Sequence, residues 1–297
     1  MAVCLLLPPM ALAAVPQLQG VFNFRPVSPS LPGLYRSANL DQATAADAAY
    51  ILDGAKVRTI IDLRNQDEIE RAATEATEFG QKLLRAFDEG ASVGTSQVAS
   101  EGHGRLSRHH VPLMEDVDGF LDAIASRLPA AKKAQAAVLR SFDMRKHDQL
   151  VYDALAKGKQ QLMYTAMLRS TSARSWRRAL HLAADRRQGG VLIHCAQGKD
   201  RTGVLSALLQ HAAGDAEEDI ISAYSMSEVL LEGSYRVSDY GDRGGVDWSM
   251  LRGSPPVAMA ETLRWLREQY GAIDYFLEAC DCSASWREVL LSRSALH

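Results

Sequence analysis

The sequence predicts one α/β domain: a mostly parallel central sheet flanked by helices, with extra helices before the last strand and at the C-terminus. Three observations lead there. Residues 56–63 (Lys-Val-Arg-Thr-Ile-Ile-Asp-Leu) are rich in β-branched residues, follow Gly54 and give way to a helical pattern. Residues 191–193 (Val-Leu-Ile) are a short apolar strand core that runs through a glycine-bearing loop into another helix. Between these two strands lies a long Ala-, Lys- and Leu-rich stretch with helical character. Strands that alternate with helices favour parallel pairing.

In order along the chain, residues 1–17 form an apolar tail and 18–297 the domain. The tail lacks a basic start and is interrupted by Pro8-Pro9, so it matches a targeting signal only in part. After the strand at 56–63, a helix is expected over 68–84. Residues 90–105 carry glycines and serines without periodicity and read as an exposed loop. A second short strand is expected at 109–113, and two or three helices over 120–169. A helix over 174–187 is stopped by Gly189-Gly190. Further helices are expected at 202–213, from an Asp215/Glu218 capping box through 231, at 257–270 and at 283–294. Residues 234–254 are rich in turns.

Composition is that of an ordinary globular chain: 297 residues, 47% hydrophobic, 23% charged, net charge −3. That charge gives bulk electrostatics no grip on nucleic acid, and membrane contact is at most peripheral. The four cysteines (Cys4, Cys195, Cys280 and Cys282) are too sparse for a disulfide framework. Cys195 therefore reads as a free thiol in a reducing, cytoplasmic setting. His109-His110 has no clustered partners in sequence that would make it a metal site.

The informative stretch is His194-Cys195-Ala196-Gln197-Gly198-Lys199-Asp200-Arg201-Thr202-Gly203, between the Val-Leu-Ile strand and a helix. A chain turning there can aim successive N–H groups at an anion, and the helix adds its positive end. A cysteine in that field is expected to ionise easily and act as a nucleophile toward phosphorus. Arg201 falls six residues later, where its planar fork can grip two phosphate oxygens. Gly198 allows a tight turn or positive φ. Thr202 can stabilise the departing sulfur, and His194 can hold the loop. Ala196, Gln197, Gly198, Lys199, Thr202 and Gly203 make up the expected phosphate cradle.

This stretch resembles the signature loop of protein tyrosine phosphatases. Its Gly-Lys-Asp-Arg-Thr-Gly form is similar to the bacterial-type tyrosine and lipid phosphatases. Phe22-Asn23-Phe24-Arg25, Leu34-Tyr35-Arg36-Ser37-Ala38 and Ile60-Ile61-Asp62-Leu63-Arg64 resemble other elements of that family, although Pro26 stands where its opening motif has an Asp. Tyr270-Gly271 with Tyr275-Phe276-Leu277 is similar to its last helices. The resemblance implies a protein-tyrosine-phosphatase-like domain. It implies hydrolysis of phosphomonoesters through a phosphocysteine intermediate, on phosphotyrosine, phosphoserine or phosphothreonine proteins or on phosphoinositides, with no metal or organic cofactor. Lys199 is open to two readings: a second cation for a poly-anionic headgroup, or a partner for Asp200. Arg36 and Arg64 can reach the site or brace it, with bracing the expectation, and Asp62 is expected to be structural. Tyr152, Met163 and Tyr164 are expected to pack, although some relatives form a lid in that region.

A general acid should protonate the leaving oxygen. Asp200 is inside the loop, and Asp116 lies just past the second strand, where related phosphatases carry a mobile acid; Glu115 and Asp118 are its neighbours. Two other classes keep a similar loop. A phosphate-binding module without turnover would have lost a reacting residue, whereas Cys195, Arg201 and nearby acids are all present. A thiol enzyme of the rhodanese or arsenate-reductase kind fits poorly with Thr202-Gly203 and with no resolving cysteine close in sequence.

Overall fold

The computed structural model describes residues 16–85, 106–234 and 251–292. The tail at 1–15, the 90–105 loop and most of the turn-rich 234–254 stretch lie outside the described residues. Among the described residues, five strands form one sheet in the order β1-β2-β5-β3-β4. They are β1 (Arg25–Pro26), β2 (Leu34–Ser37), β3 (Val57–Asp62), β4 (Ser107–His110) and β5 (Gly190–His194). Only β1 runs antiparallel to its neighbour. The fold class is thus the mostly parallel α/β sheet that the alternation of elements implied. β1 and β2 were not expected as strands, because each is too short to show a period of two.

β5 lies at the centre, and its end is in register with two other strand ends: His194 pairs with Ser37 of β2 and with Asp62 of β3. Strand alternation divides the core between the two faces of the sheet. Ile61, Val191 and Ile193 face a large core. It includes residues of α4 (Val117–Ala125), α6 (Met144–Ser170), α7 (Ala173–Ala184), α8 (Arg201–Ala213), α11 (Pro256–Tyr270) and α12 (Ile273–Ala279). Ile60 and Leu192 face a smaller core with Val21, Phe24, and Ile51 and Leu52 of the π-helical turn Tyr50–Gly54, which continues α1 (Ala45–Ala49). The remaining helices are α2 (Gln66–Ala73), α3 (Glu78–Arg85), α5 (Ala130–Phe142), α9 (Glu217–Ser225), α10 (Ser227–Leu230) and α13 (Ala284–Leu291).

Several boundaries differ from expectation for local reasons. The helix expected over 68–84 is two, because the Glu68 carboxylate reaches back to the Asn65 N–H and starts α2 earlier, and Thr77 Oγ accepts the Gly80 N–H at the start of α3. Asp215 does not cap α9. Its carboxylate accepts from the Ser28 hydroxyl at 2.5 Å and from Gln210, and the helix begins after Ala216. That helical segment is divided at Met226 into α9 and α10. The second strand starts two residues early, at Ser107, because its register follows β3 from Thr59 onward. Three helices fill 117–170, the last bent at Lys159, where φ is 47°.

Candidate active site

Parallel strands place their carboxyl ends on one edge, and ligands gather where neighbouring connections diverge. Here the loop 195–200 leaves β5 between the ends of β2 and β3 and enters α8. Three successive carbonyls of this loop are drawn to its rear. Ala196 O accepts the Asn39 N–H at 3.0 Å. Gln197 O and Gly198 O accept from Asn23 Nδ2 at 3.0 and 3.1 Å. Gly198 O also accepts from Arg36 Nη2 at 2.7 Å. In a planar trans peptide the N–H points opposite to the C=O. The N–H groups of Gln197, Gly198 and Lys199 are thereby turned to the inner side, and Gly198 N–H lies 3.3 Å from Cys195 Sγ. The loop is an anion nest backed by the first turn of a 13-residue helix.

The family-like motifs now have physical roles. Asn23 takes a left-handed φ of 58°, and Arg25 braces it by donating to its side-chain oxygen and to Ser227 Oγ at 3.0 Å. Arg36 is fully buried, and burial pulls its guanidinium down to about 10, with nearby Cys195 opposing; it is still a cation at neutral pH. Gly198 has φ 66°, and a Cβ there would stand 2.0 Å from Ser37 O. Under the loop, Asp62 accepts from Arg64 Nη2 at 2.8 Å and from Arg108 Nη2 at 2.6 Å. His194 Nε2 lies 3.5 Å from the same carboxylate. Burial pulls the His194 imidazole down to about 3, against the pull of Asp62, so it stays neutral. His110 donates its ring N–H to Arg64 O at 2.7 Å, a bracing contact beside this cluster.

Arg201 has a partner that the sequence reading missed. Its two Nη groups meet the two oxygens of Glu68, Nη2 to Oε1 at 2.7 Å. Glu68 is the third residue of α2 and also accepts the Asn65 N–H at 2.9 Å. Burial alone would raise the Glu68 carboxyl, but Arg201 and these hydrogen bonds hold it below its ordinary value. A guanidinium has five N–H donors, so this fork leaves three for a ligand. The Asn-x-x-Glu capping signal was visible in the sequence, but nothing in it pointed to Arg201.

The other expected site residues fall into two groups. Thr202 is fully buried, and its hydroxyl has no hydrogen-bond partner among the described residues, which leaves it able to serve the sulfur. Cys195 is 2% exposed, at the base of the loop. Lys199 is fully buried, its ammonium on Asp200 Oδ1 at 2.7 Å and Leu251 O at 2.9 Å. This geometry fits the reading of Lys199 as the partner of Asp200, not as a headgroup cation. Asp200 also accepts from the Tyr164 hydroxyl at 2.7 Å. Asp116 is exposed and caps α4 through the Gly119 N–H at 2.8 Å. Neither Asp116 nor Asp200 lines the cavity of about 510 Å³ that opens onto the loop at Ala196 and Gln197, so what sets Asp200 apart is its place in the loop next to Arg201. Among the described residues Cys280 and Cys282 form no disulfide; both thiols are buried, and burial pushes both up to about 12.

Comparison with known proteins agrees with this geometry. A model of the tyrosine phosphatase family matches residues 16–294, and the chain belongs to that family. A tyrosine-protein phosphatase from Nostoc commune is 43% identical over 56 residues. The aligned stretch covers 19% of this chain and 19% of that protein.

Proposed function

We propose that the protein hydrolyses phosphomonoesters through a phosphocysteine intermediate and that its substrates are phosphotyrosine proteins. The observation that carries this reading is one assembly: Cys195 Sγ on the inner side of a nest of N–H groups, with Arg201 fixed beside it by Glu68. The nest and the guanidinium bind a dianionic phosphoryl group and stay with it as it passes from ester oxygen to sulfur. Cys195 is the nucleophile, Arg201 the clamp, Thr202 the donor to the departing thiolate, and Asp200 the acid.

Phosphotyrosine is favoured over poly-phosphorylated inositol lipids because the described cations around the cavity are already paired. Arg64 is held by Asp41 and Asp62, Arg71 by Asp67, and Lys199 by Asp200. Phe22, 37% exposed on the cavity wall, offers a face for a phenyl ring. A panel of p-nitrophenyl phosphate, phosphotyrosine peptides and mono- and poly-phosphoinositides, run beside Cys195→Ser, tests the reading. Turnover should vanish in the variant while inorganic phosphate still binds. Activity above about a hundredth of wild type would refute the nucleophile assignment, because the nest does not activate an oxygen nucleophile. A preference for poly-phosphoinositides would refute the substrate.

A further inference from the structure

The sequence offered Lys199 as a partner for Asp200 but not Tyr164. Tyr164 of α6 and Lys199 both donate to Oδ1, each at 2.7 Å. A hydroxyl has one proton. Having given its own to Asp200, Tyr164 must accept from the Tyr224 hydroxyl, 2.7 Å away. The chain therefore runs from Tyr224 to Tyr164 to Asp200. Both rings are buried, at 0% and 1% exposure, and meet edge to face with centroids 6.1 Å apart. Burial, then the charge of Asp200, pushes both phenols upward, so they remain donors throughout the working pH range. The Tyr224 ring is itself fixed against α8, where a Cβ at Gly203 would stand 3.2 Å from Cδ2.

We propose that Tyr164 is a positioning residue for Asp200, a step that rests on reading Asp200 as the general acid. With Oδ1 occupied by two donors, Oδ2 is the oxygen that carries the transferable proton. In the first step the Sγ–P bond forms, the P–O bond to the leaving group breaks, and the Oδ2 proton goes to the leaving oxygen. In the second, a water oxygen attacks phosphorus, the P–S bond breaks, and the water proton returns to Oδ2 as the thiolate is restored. Without the Tyr164 hydroxyl the carboxyl can rotate, and the proton-bearing oxygen is no longer fixed.

The test compares phenyl phosphate, whose leaving group needs a proton, with p-nitrophenyl phosphate, whose leaving group hardly does. Wild type, Tyr164→Phe, Asp200→Asn and the double variant are measured, with inhibition by inorganic phosphate and thermal melting alongside. Tyr164→Phe should lose roughly tenfold more kcat/KM on phenyl phosphate than on the nitrophenyl ester, the scale of one charge-assisted hydrogen bond. Phosphate inhibition should be unchanged, and the double variant should be no worse on phenyl phosphate than Asp200→Asn alone. Equal losses on both substrates in Tyr164→Phe, or weakened phosphate binding, would overturn the proposal alone and leave Tyr164 as packing. Equal losses in Asp200→Asn would overturn the acid reading and this proposal with it. If Tyr164→Phe does not fold, Tyr224→Phe carries the test, because it strips Tyr164 of its donor. A smaller loss in the same direction is then expected, and no selective loss would overturn the proposal.

Discussion

Replacing Glu68 with Gln should uncouple Arg201 from the α2 helix. In the wild type both carboxylate oxygens accept from the guanidinium, and the pair is mostly buried, with 13% of the Arg201 side chain and 23% of the Glu68 side chain exposed. Gln keeps the volume and one acceptor but turns an NH₂ toward the other Nη, which has only donors. At least one charge-assisted hydrogen bond is lost, worth roughly 1.5–3 kcal/mol. If most of that is felt while the phosphoryl group is in transit, kcat/KM on p-nitrophenyl phosphate should fall roughly 10- to 100-fold, at about 1.4 kcal/mol per tenfold. Arg201 grips the ground state too, so KM and the inhibition constant for inorganic phosphate should both rise. The bond from Glu68 to the Asn65 N–H at the start of α2 also weakens, and the variant should be less stable by about 1 kcal/mol in urea unfolding. The assay is steady-state kinetics with phosphate inhibition, beside a denaturation curve. Destabilisation with kcat/KM within twofold of wild type would show that the loop alone orients Arg201 and that Glu68 is only a helix cap.

Two further outcomes follow from the loop and from the groups buried beneath it. Gly198→Ala should reduce both stability and turnover, because the φ of 66° alone costs about 1–2 kcal/mol and the added Cβ stands 2.0 Å from Ser37 O; wild-type kinetics would mean that β2 shifts freely. His194 is neutral in the fold down to about 3, whereas in the unfolded chain it binds a proton below its ordinary value of 6.5. Between those limits the unfolded state holds the extra proton, so stability should drop as pH falls, by about 1.4 kcal/mol per pH unit for this one group. Half-buried His109, lowered by burial and then by Arg178, acts in the same direction. Urea midpoints between pH 6 and pH 5 measure the slope, and a flat profile would contradict a neutral His194.

The sequence by itself determined what is local. A Val-Leu-Ile core bounded by glycines makes a buried strand. Cys195 and Arg201, six residues apart across a glycine-bearing turn, stay close together, because so short a loop entering a helix cannot separate them. The alternation of strands and helices sufficed for a parallel sheet, and with it for a site at the carboxyl ends of the strands. Tertiary structure alone decided which side chains, distant in sequence, complete the site. Glu68 meets Arg201 from 133 residues away and Asn23 reaches Gln197 from 174 away. Tyr164, which at helical spacing read as packing, reaches Asp200 from 36 away. Lys199, open as a cation for a poly-anionic headgroup or a partner for Asp200, is buried by the fold against Asp200, which fits the second reading. These contacts depend on the strand order that sets the ends of β2 and β3 on either side of β5. Residue spacing encodes the reach of a loop but not which strand lies beside it, because strand order is set by the packing of whole layers against one another.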